Sequence, residues 1–227
     1  MSGDNSFTAV VDPKMREMAS QAYSLLEMDA IDKLRTFRRN KHGNLFYEHN
    51  RNQETPAHLI QLPYLYSQLT AINPRRILEV GTNCGFFCYF AKRVVPEVKI
   101  ITFDLGFDAY AAQAVDFLHE HFQSEYITYI EGDSRETISV FNNSIKDKEF
   151  PIDFAWVDGS HEYLAVFSDL TNCGELNIPH IYVDDFHATQ DVQIAVKFFI
   201  NSFSYDLIGM TRDIRGIAYL KKEGSDG

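Results

Sequence analysis

Carboxylates follow apolar, strand-like runs of this chain, and the most concentrated of them are three aspartates. Asp158 comes directly after the run that ends at Val157, and Asp184 and Asp185 come directly after the run that ends at Val183. Because parallel strands end at one edge of a sheet, these acids are expected to lie close together. Such a group of like charges is stable only where cations or hydrogen-bond donors compensate it. This edge is therefore the candidate functional site.

Two glycines mark a second candidate feature, within the stretch from Arg76 to Ala91. A mostly apolar run suited to a buried strand leads to Gly81 and Gly85. The apolar crowding of a helix follows, predicted from Phe86 to Val94 and ending before Pro96. Glycine permits unusual backbone dihedrals and the close approach of a ligand. No Gly-Lys-Ser/Thr follows, and the spacing differs from Gly-x-Gly-x-x-Gly, so the loop is neither a phosphate loop nor a dinucleotide fingerprint.

The pattern Glu79-x-Gly81-x-x-x-Gly85 resembles the first motif of class I S-adenosylmethionine-dependent methyltransferases, and Cys84 makes it most similar to the catechol-type O-methyltransferases. The resemblance implies that S-adenosylmethionine is the cofactor. It also implies an acid after the second strand that accepts hydrogen bonds from the ribose hydroxyls, a role that falls on Asp104. The cofactor-binding residues implied in this way are Glu79, Gly81, Thr82, Asn83, Gly85, Phe86, Asp104, Leu105, Asp133, Ser134 and Asp158.

Two of these assignments leave alternatives open. A dehydrogenase would use Asp104 in the same way, so this residue alone does not discriminate between the two classes of enzyme. Asp133 and Ser134 match the place where the family contacts adenine, but Asp133 could equally cap the helix that follows.

The resemblance to metal-dependent O-methyltransferases gives the three aspartates a role. In that group the acid ending the fourth strand and two neighbours ending the fifth bind a divalent cation. Asp158, Asp184 and Asp185 are therefore expected to bind Mg²⁺ or another divalent cation, which favours oxygen ligands. The alternative is a set of turn aspartates without metal. Catechol-type enzymes have asparagine where this chain has Asp185, so the site here is more negative.

His161 stands three residues after Asp158, where catechol-type enzymes have a catalytic lysine. The Asp-Gly-x-His pattern is more similar to that of sugar-modifying relatives from macrolide biosynthesis, which have histidine there. A histidine with a near-neutral pKa can take the proton of a hydroxyl that a metal has acidified, so His161 is the predicted catalytic residue. The long N-terminal region of the macrolide enzymes is not matched by this chain, so their substrate class does not simply carry over.

The elements that must position these residues follow an α/β order. A helix is predicted from Pro13 to about Ile31, and a helix opens at Thr55-Pro56. The polar segment over 36–53 between them is expected to be either a lid that packs over a ligand or a solvated surface loop. Strands predicted at 98–103, 126–130, 152–157 and 178–183 follow the first strand and alternate with helices, and strands at 205–208 and 217–220 form a hairpin. We expect a Rossmann-like, mostly parallel seven-stranded sheet with helices on both faces and a C-terminal antiparallel hairpin. Residues 1–74 hold the N-terminal helices and lid, and residues 75–227 the cofactor-binding domain, within one globular unit.

The composition of the chain argues against several further classes of function. The 227-residue chain has a formal net charge of -11 and no basic stripe, which argues against a nucleic-acid partner. No apolar run reaches membrane-spanning length, the first residues are no signal peptide, and three cysteines lack metal-site spacing, so a cytoplasmic protein is expected. The N-terminal amphipathic helix and the edge hairpin could each support a homodimer.

Together these features predict a magnesium-assisted O-methyltransferase that uses S-adenosylmethionine and acts on a small-molecule hydroxyl. The expected acceptor is a sugar diol or a phenol, of the kind found in natural-product biosynthesis. The alternative is a non-methylating protein on the same scaffold, either hydroxylase-like or a cofactor-binding sensor, and a dehydrogenase is the third candidate.

Overall fold

The computed structural model describes residues 13–37, 61–106, 109–145, 150–212 and 215–225, which form one seven-stranded sheet and the helices around it. None of the helices in these ranges is both long and apolar enough to cross a membrane. In chain order the elements are α1 (Pro13–Ser24), α2 (Met28–Phe37), α3 (Leu62–Ile72), β1 (Arg76–Val80), α4 (Phe86–Val94), β2 (Lys99–Asp104), α5 (Tyr110–Phe122), β3 (Ile127–Glu131), α6 (Ser134–Ile145), β4 (Phe154–Val157), α7 (Tyr163–Glu175), β5 (His180–Val183), α8 (Gln190–Ser202), β6 (Tyr205–Met210) and β7 (Ala218–Lys222).

The strands lie in the order β3-β2-β1-β4-β5-β7-β6. Strands β1 to β5 are parallel, and β7 runs antiparallel to both of its neighbours, β5 and β6. This confirms the predicted Rossmann-like sheet with its terminal hairpin. The chain moves outward from β1 to β3 and then returns to place β4 on the other side of β1. Ligands bind at such a switch point in open α/β sheets, beyond the carboxyl ends of the strands.

Two apolar clusters hold the layers together, one on each face of the sheet. On the first face Phe87 of α4 stacks on Trp156 of β4, with ring centroids 5.0 Å apart, and Leu65 and Leu69 of α3 join the same cluster. On the second face α6, α7 and α8 pack residues such as Leu170 against the strands. Burying each such side chain contributes about 1.5 to 3 kcal/mol, which fixes the strand ends that carry the acids.

The single helix predicted from Pro13 to about Ile31 is wrong, because two helices, α1 and α2, occupy this region. The chain turns between them, where the Leu25 and Leu26 amides bond to the carbonyls three residues earlier. Tertiary contacts hold the turn: Arg93 Nε donates to the Leu25 carbonyl at 2.8 Å, and the Glu27 amide donates to the Tyr89 hydroxyl at 2.8 Å. Helical spacing of apolar residues does not reveal such contacts. Of the predicted lid over 36–53, residues 38–53 lie outside the described residues, as does the predicted helix start at Thr55-Pro56.

Candidate functional site

A pocket of about 600 Å³ opens at the carboxyl edge of the sheet, where β1, β2 and β4 end. Its position matches the switch point between β1 and β4. Eight of the fourteen residues predicted from the sequence line it, namely Gly81, Asn83, Asp104, Leu105, Asp133, Ser134, Asp158 and His161. The lining does not include the other six, which are Glu79, Thr82, Gly85, Phe86, Asp184 and Asp185.

The glycine loop joins β1 to α4 and forms one wall of the pocket. Gly81 has a φ of +93°, and a Cβ built on it would lie 2.1 Å from the Asp158 carbonyl oxygen. Glycine is therefore required here by the neighbouring strand end, which the backbone of Gly81 approaches closely. Gly85, with a φ of +76°, is the N-cap of α4, and Phe86 begins the helix.

Asp104 ends β2 at the edge of the pocket, and backbone amides hold its carboxylate in place. Oδ2 accepts a hydrogen bond from the Asn83 amide at 2.9 Å, and Oδ1 accepts one from the Gly106 amide at 3.1 Å. Each oxygen has a second lone pair that these amides do not use. Leu105 beside it is about half exposed, at 48%. The arrangement provides a fixed acceptor next to an apolar surface, which suits a sugar with vicinal hydroxyls.

Asp133 and Ser134 lie at the start of α6, on the pocket wall beyond β3. Asp133 Oδ1 accepts a hydrogen bond from the Arg135 amide at 3.0 Å and another from Arg135 Nε at 2.9 Å. The hydrogen bonds from Arg135 hold the pKa of Asp133 below its ordinary value. Asp133 therefore has the helix-capping contact that was the alternative, and it lines the pocket as well.

The acidic centre occupies the other end of the pocket. One ligand atom from each of Asp158, His161 and Asp185 lies within 4.8 Å of the others. His161 Nε2 is 3.0 Å from Asp185 Oδ2 and 3.7 Å from Asp158 Oδ1. Asp185 has a φ of +57°, a conformation that non-glycine residues rarely adopt and that often occurs at functional sites. The structure thus joins the predicted catalytic histidine to two of the three predicted metal ligands.

The third predicted ligand, Asp184, is buried beside this group. Its Oδ1 is among the buried side-chain atoms that have no hydrogen-bond partner within the described ranges. Burial, and then the charges of Asp158 and Asp185, raise the pKa of Asp184 well above its ordinary value. A buried carboxylate oxygen without a donor is costly, and a bound cation would remove that cost.

His161 differs from the expectation of a near-neutral imidazole. The carboxylates of Asp158 and then Asp185 raise the pKa of His161 to about 10, although burial acts in the opposite direction. At neutral pH the imidazole in this arrangement is therefore protonated on both nitrogens and positively charged. The expected near-neutral pKa of His161 is wrong because the sequence does not show how closely two carboxylates approach the ring.

A family described as a methyltransferase domain matches residues 78–193, about half of the chain. The chain belongs to this methyltransferase family. The matched residues run from β1 through the start of α8, so they include the glycine loop and every acid of the centre. The predicted class of enzyme, a methyltransferase, is thereby confirmed. No curated protein matches the chain in sequence.

Solved structures resemble the methyltransferase over most of its length. The O-methyltransferase TomG from Streptomyces achromogenes, involved in tomaymycin synthesis and solved with SAM, has a TM-score of 0.66 at 18% identity, covering 92% of this chain and 96% of its own. The SAH-bound methyltransferase PaMTH1 from Podospora anserina has a TM-score of 0.58 at 15% identity, with coverage of 87% and 96%. An O-methyltransferase from Bacillus cereus in complex with SAH has a TM-score of 0.57 at 14% identity, with coverage of 89% and 91%. At identities this low, the structural similarity establishes a shared fold and nothing further.

Glu79 of the methyltransferase lies behind the pocket wall, in a buried polar network. Oε2 accepts hydrogen bonds from the Cys88 thiol, at 2.8 Å, and from the Thr102 hydroxyl, which also bonds to the Thr82 hydroxyl. Oε1 is buried and has no partner in the part of the chain that the structure describes. Burial raises the pKa of Glu79 to about 8, against the opposing effect of the Cys88 and Thr102 hydrogen bonds.

The burial of Glu79 predicts how the free energy of unfolding depends on pH. Because the folded protein keeps a proton on Glu79 that the unfolded chain loses near pH 4, the free energy of unfolding should fall as pH rises from about 4 to 8. The substitution Glu79→Gln removes this titration. Relative to wild type, we expect the variant to gain on the order of 4 kcal/mol between pH 4 and pH 8. Urea denaturation at several pH values measures this gain. The exposed Glu120→Gln is the matched control, and parallel pH profiles for Glu79→Gln and wild type would contradict the prediction.

Two ionisable residues at or near the pocket escaped the sequence analysis. Arg215, in the connection between β6 and β7, lines the pocket and forms a bidentate ion pair with Asp185. Asp169 of α7 is buried near Ser134, and burial raises its pKa to about 7. Arg215 was detectable only as a cation shortly before a strand that pairs with β5. Asp169 gave no signal beyond its place in an amphipathic helix.

Proposed function

We propose that this methyltransferase transfers the methyl group of S-adenosylmethionine to a hydroxyl oxygen of a small molecule, with help from Mg²⁺ or another divalent cation. One observation carries the proposal: a single pocket joins Asp104 and the glycine loop at one end to Asp158 and His161 at the other. A donor and an acceptor bound at the two ends would share one pocket. TomG and the similar Bacillus cereus enzyme are O-methyltransferases, which agrees with an oxygen acceptor.

The end of the pocket near Asp104 is the proposed cofactor site. Asp104 has free acceptor capacity for a diol, and the Ser134 hydroxyl can bond to a base edge. Glu79 does not line this site; it lies behind the glycine loop, and its network with Thr102 and Thr82 supports the loop from inside the sheet. S-adenosylmethionine, when bound, supplies a methyl group on a positively charged sulfur. SAM and SAH occupy similar folds in TomG and in the Bacillus cereus enzyme, which supports this choice.

The residues of the acidic centre fit a divalent cation in their chemistry. Asp158, Asp184 and Asp185 supply carboxylate oxygens, which Mg²⁺ prefers. The unpartnered Oδ1 of Asp184 is the strongest sign, since a buried acceptor of this kind requires a counterpart. The cation would supply acidification of the acceptor hydroxyl and fix its orientation.

His161 is the proposed proton acceptor for the hydroxyl. Its Nε2 faces Asp185 and Asp158, so the ring is held in place and any proton on Nε2 is stabilised. The same carboxylates keep Nε2 protonated at neutral pH, as its raised pKa indicates. A cation on these carboxylates would reverse that effect, because a bound metal is the largest local charge and lowers the pKa of neighbouring bases. His161 could then take a proton from the acceptor oxygen.

The proposed acceptor is a sugar diol or a phenol. The oligomeric state, a homodimer, and the cytoplasmic location stay predictions. Calorimetric titration with S-adenosylhomocysteine, in magnesium and in EDTA and with NAD as the control ligand, tests the cofactor. We expect micromolar binding of S-adenosylhomocysteine and none of NAD. Binding of NAD, or of neither ligand, would contradict the proposal.

A further inference from the structure

Arg215 is bound to the acidic centre by a two-point contact. Its Nε lies 2.6 Å from Asp185 Oδ1, and its Nη2 lies 2.7 Å from Asp185 Oδ2 and 3.8 Å from Asp184 Oδ2. The Asp185 side chain is 4% exposed and that of Arg215 is 23% exposed. A bidentate pair with this little solvent is much stronger than a surface salt bridge.

The backbone around Arg215 is fixed to the loop that follows Asp185. The Arg215 carbonyl accepts a hydrogen bond from the His187 amide at 2.6 Å, and the Gly216 carbonyl accepts one from the Phe186 amide at 2.9 Å. The His187 ring covers Gly216, where a Cβ would lie 2.3 Å from the ring. The guanidinium is therefore presented by two loops that are bonded together, and side-chain flexibility alone does not determine its position.

The charges of the centre do not balance without Arg215. Ionised, as a bound cation would require, Asp158, Asp184 and Asp185 carry three negative charges in one group. Arg215 is the permanently charged cation in contact with this group among the residues described. Both oxygens of Asp185 bond to Arg215, and Asp185 also faces His161. With Asp185 compensated in this way, the charge left for a divalent cation is that of Asp158 and Asp184.

We propose that Arg215 is the built-in counter-ion of the acidic centre and limits how tightly the centre binds a divalent cation. This inference rests on the proposed function for the cation site itself. A fixed positive charge a few ångströms from that site repels a second cation, and it competes for the oxygens of Asp185. Arg215 is thus a positioning residue that sets the affinity of the cation and leaves the methyl donor unaffected.

The test is titration of the purified full-length protein with Mn²⁺, followed by calorimetry and by the electron paramagnetic resonance of free Mn²⁺, with no methyl donor present. Arg215→Met should bind Mn²⁺ about tenfold or more tightly than wild type. Without Mn²⁺ it should melt at a lower temperature, and Mn²⁺ should raise its melting temperature more than that of wild type. Arg215→Lys keeps the positive charge but loses the two-point contact with Asp185, so its affinity for Mn²⁺ should lie between those of wild type and Arg215→Met.

Arg93→Met is the matched control, because Arg93 is also half-buried and paired with a carboxylate, that of Glu27, away from the pocket. It should lower the melting temperature and leave Mn²⁺ affinity unchanged. If Arg215→Met does not fold, Arg215→Gln, which removes the charge but keeps an amide donor for Asp185, should likewise bind Mn²⁺ about tenfold or more tightly than wild type.

Unchanged or weaker Mn²⁺ binding by folded Arg215→Met, or by Arg215→Gln in its place, would overturn the inference. Equal Mn²⁺ affinities of Arg215→Lys and Arg215→Met would also overturn it. Titration of the same proteins with S-adenosylhomocysteine separates the two claims. If wild type binds S-adenosylhomocysteine normally and the Arg215 variants do not change Mn²⁺ affinity, the counter-ion role of Arg215 is contradicted and the proposed function stands. A wild type that does not bind S-adenosylhomocysteine would instead count against the proposed function.

Discussion

Replacing His161 by alanine should lower kcat about 10²- to 10⁴-fold, the usual contribution of a general base. The affinity for S-adenosylhomocysteine should stay within about threefold of wild type, because His161 lies at the acidic end of the pocket, away from Asp104. The expected pattern is therefore a loss in turnover with the cofactor site intact. Transfer of a labelled methyl group from S-adenosylmethionine measures kcat, and calorimetry measures the affinity.

The histidine control is His119→Ala, since His119 bonds to the Ile127 carbonyl on another part of the sheet. It should retain wild-type turnover apart from any loss of folded protein. Equal losses of turnover and of cofactor affinity in His161→Ala would show that His161 has a structural role or a role in cofactor binding. Wild-type turnover in His161→Ala would remove it from the reaction.

Replacing Asp104 by alanine should weaken binding of S-adenosylhomocysteine about a hundredfold or more. Hydrogen bonds to a charged group contribute about 1.5 to 3 kcal/mol each, and the proposed diol would lose two of them. The substitution also releases the amides of Asn83 and Gly106, so the glycine loop loses an anchor. Asp104→Asn keeps one acceptor oxygen and should show an intermediate loss. Calorimetric titration measures both.

Asp116→Asn, an exposed acid of α5, controls for the change in net charge and should bind the ligand as wild type does. Melting curves establish that Asp104→Ala is folded before its affinity is interpreted. Binding by folded Asp104→Ala within about threefold of wild type would show that Asp104 has no contact with the ligand.

Much of the scaffold was predictable because its signals are local. Helix α4 was predicted at the residues it occupies, 86–94, since Gly85 must end the loop and Pro96 stops the helix. The apolar run from Ile77 to Val80 indicated a strand buried on both faces, and β1 is such a strand. The end of the helix that starts at Pro13 was not predictable, because contacts from Arg93 and Tyr89 decide it.

The site was predictable where strand order alone brings residues together. Asp158 and Asp185 meet because β4 and β5 are parallel neighbours, and any chain with this topology places their following residues at one edge. The state of charge was not predictable in the same way. The pairing of Asp185 with Arg215 depends on how the connection between β6 and β7 packs against the loop that follows Asp185. The high pKa of His161 depends on ångström-scale approach to two acids.

The most direct test of the central claim is transfer of a labelled methyl group from S-adenosylmethionine to a panel of sugar diols and phenols, in magnesium and in EDTA. The acidic centre predicts an O-methylated product in magnesium, a loss of about tenfold or more in EDTA, and recovery when Mg²⁺ is restored. A product whose rate is the same in EDTA would contradict the cation's role in transfer. A protein that binds S-adenosylhomocysteine yet methylates no hydroxyl of the panel would contradict the proposed reaction.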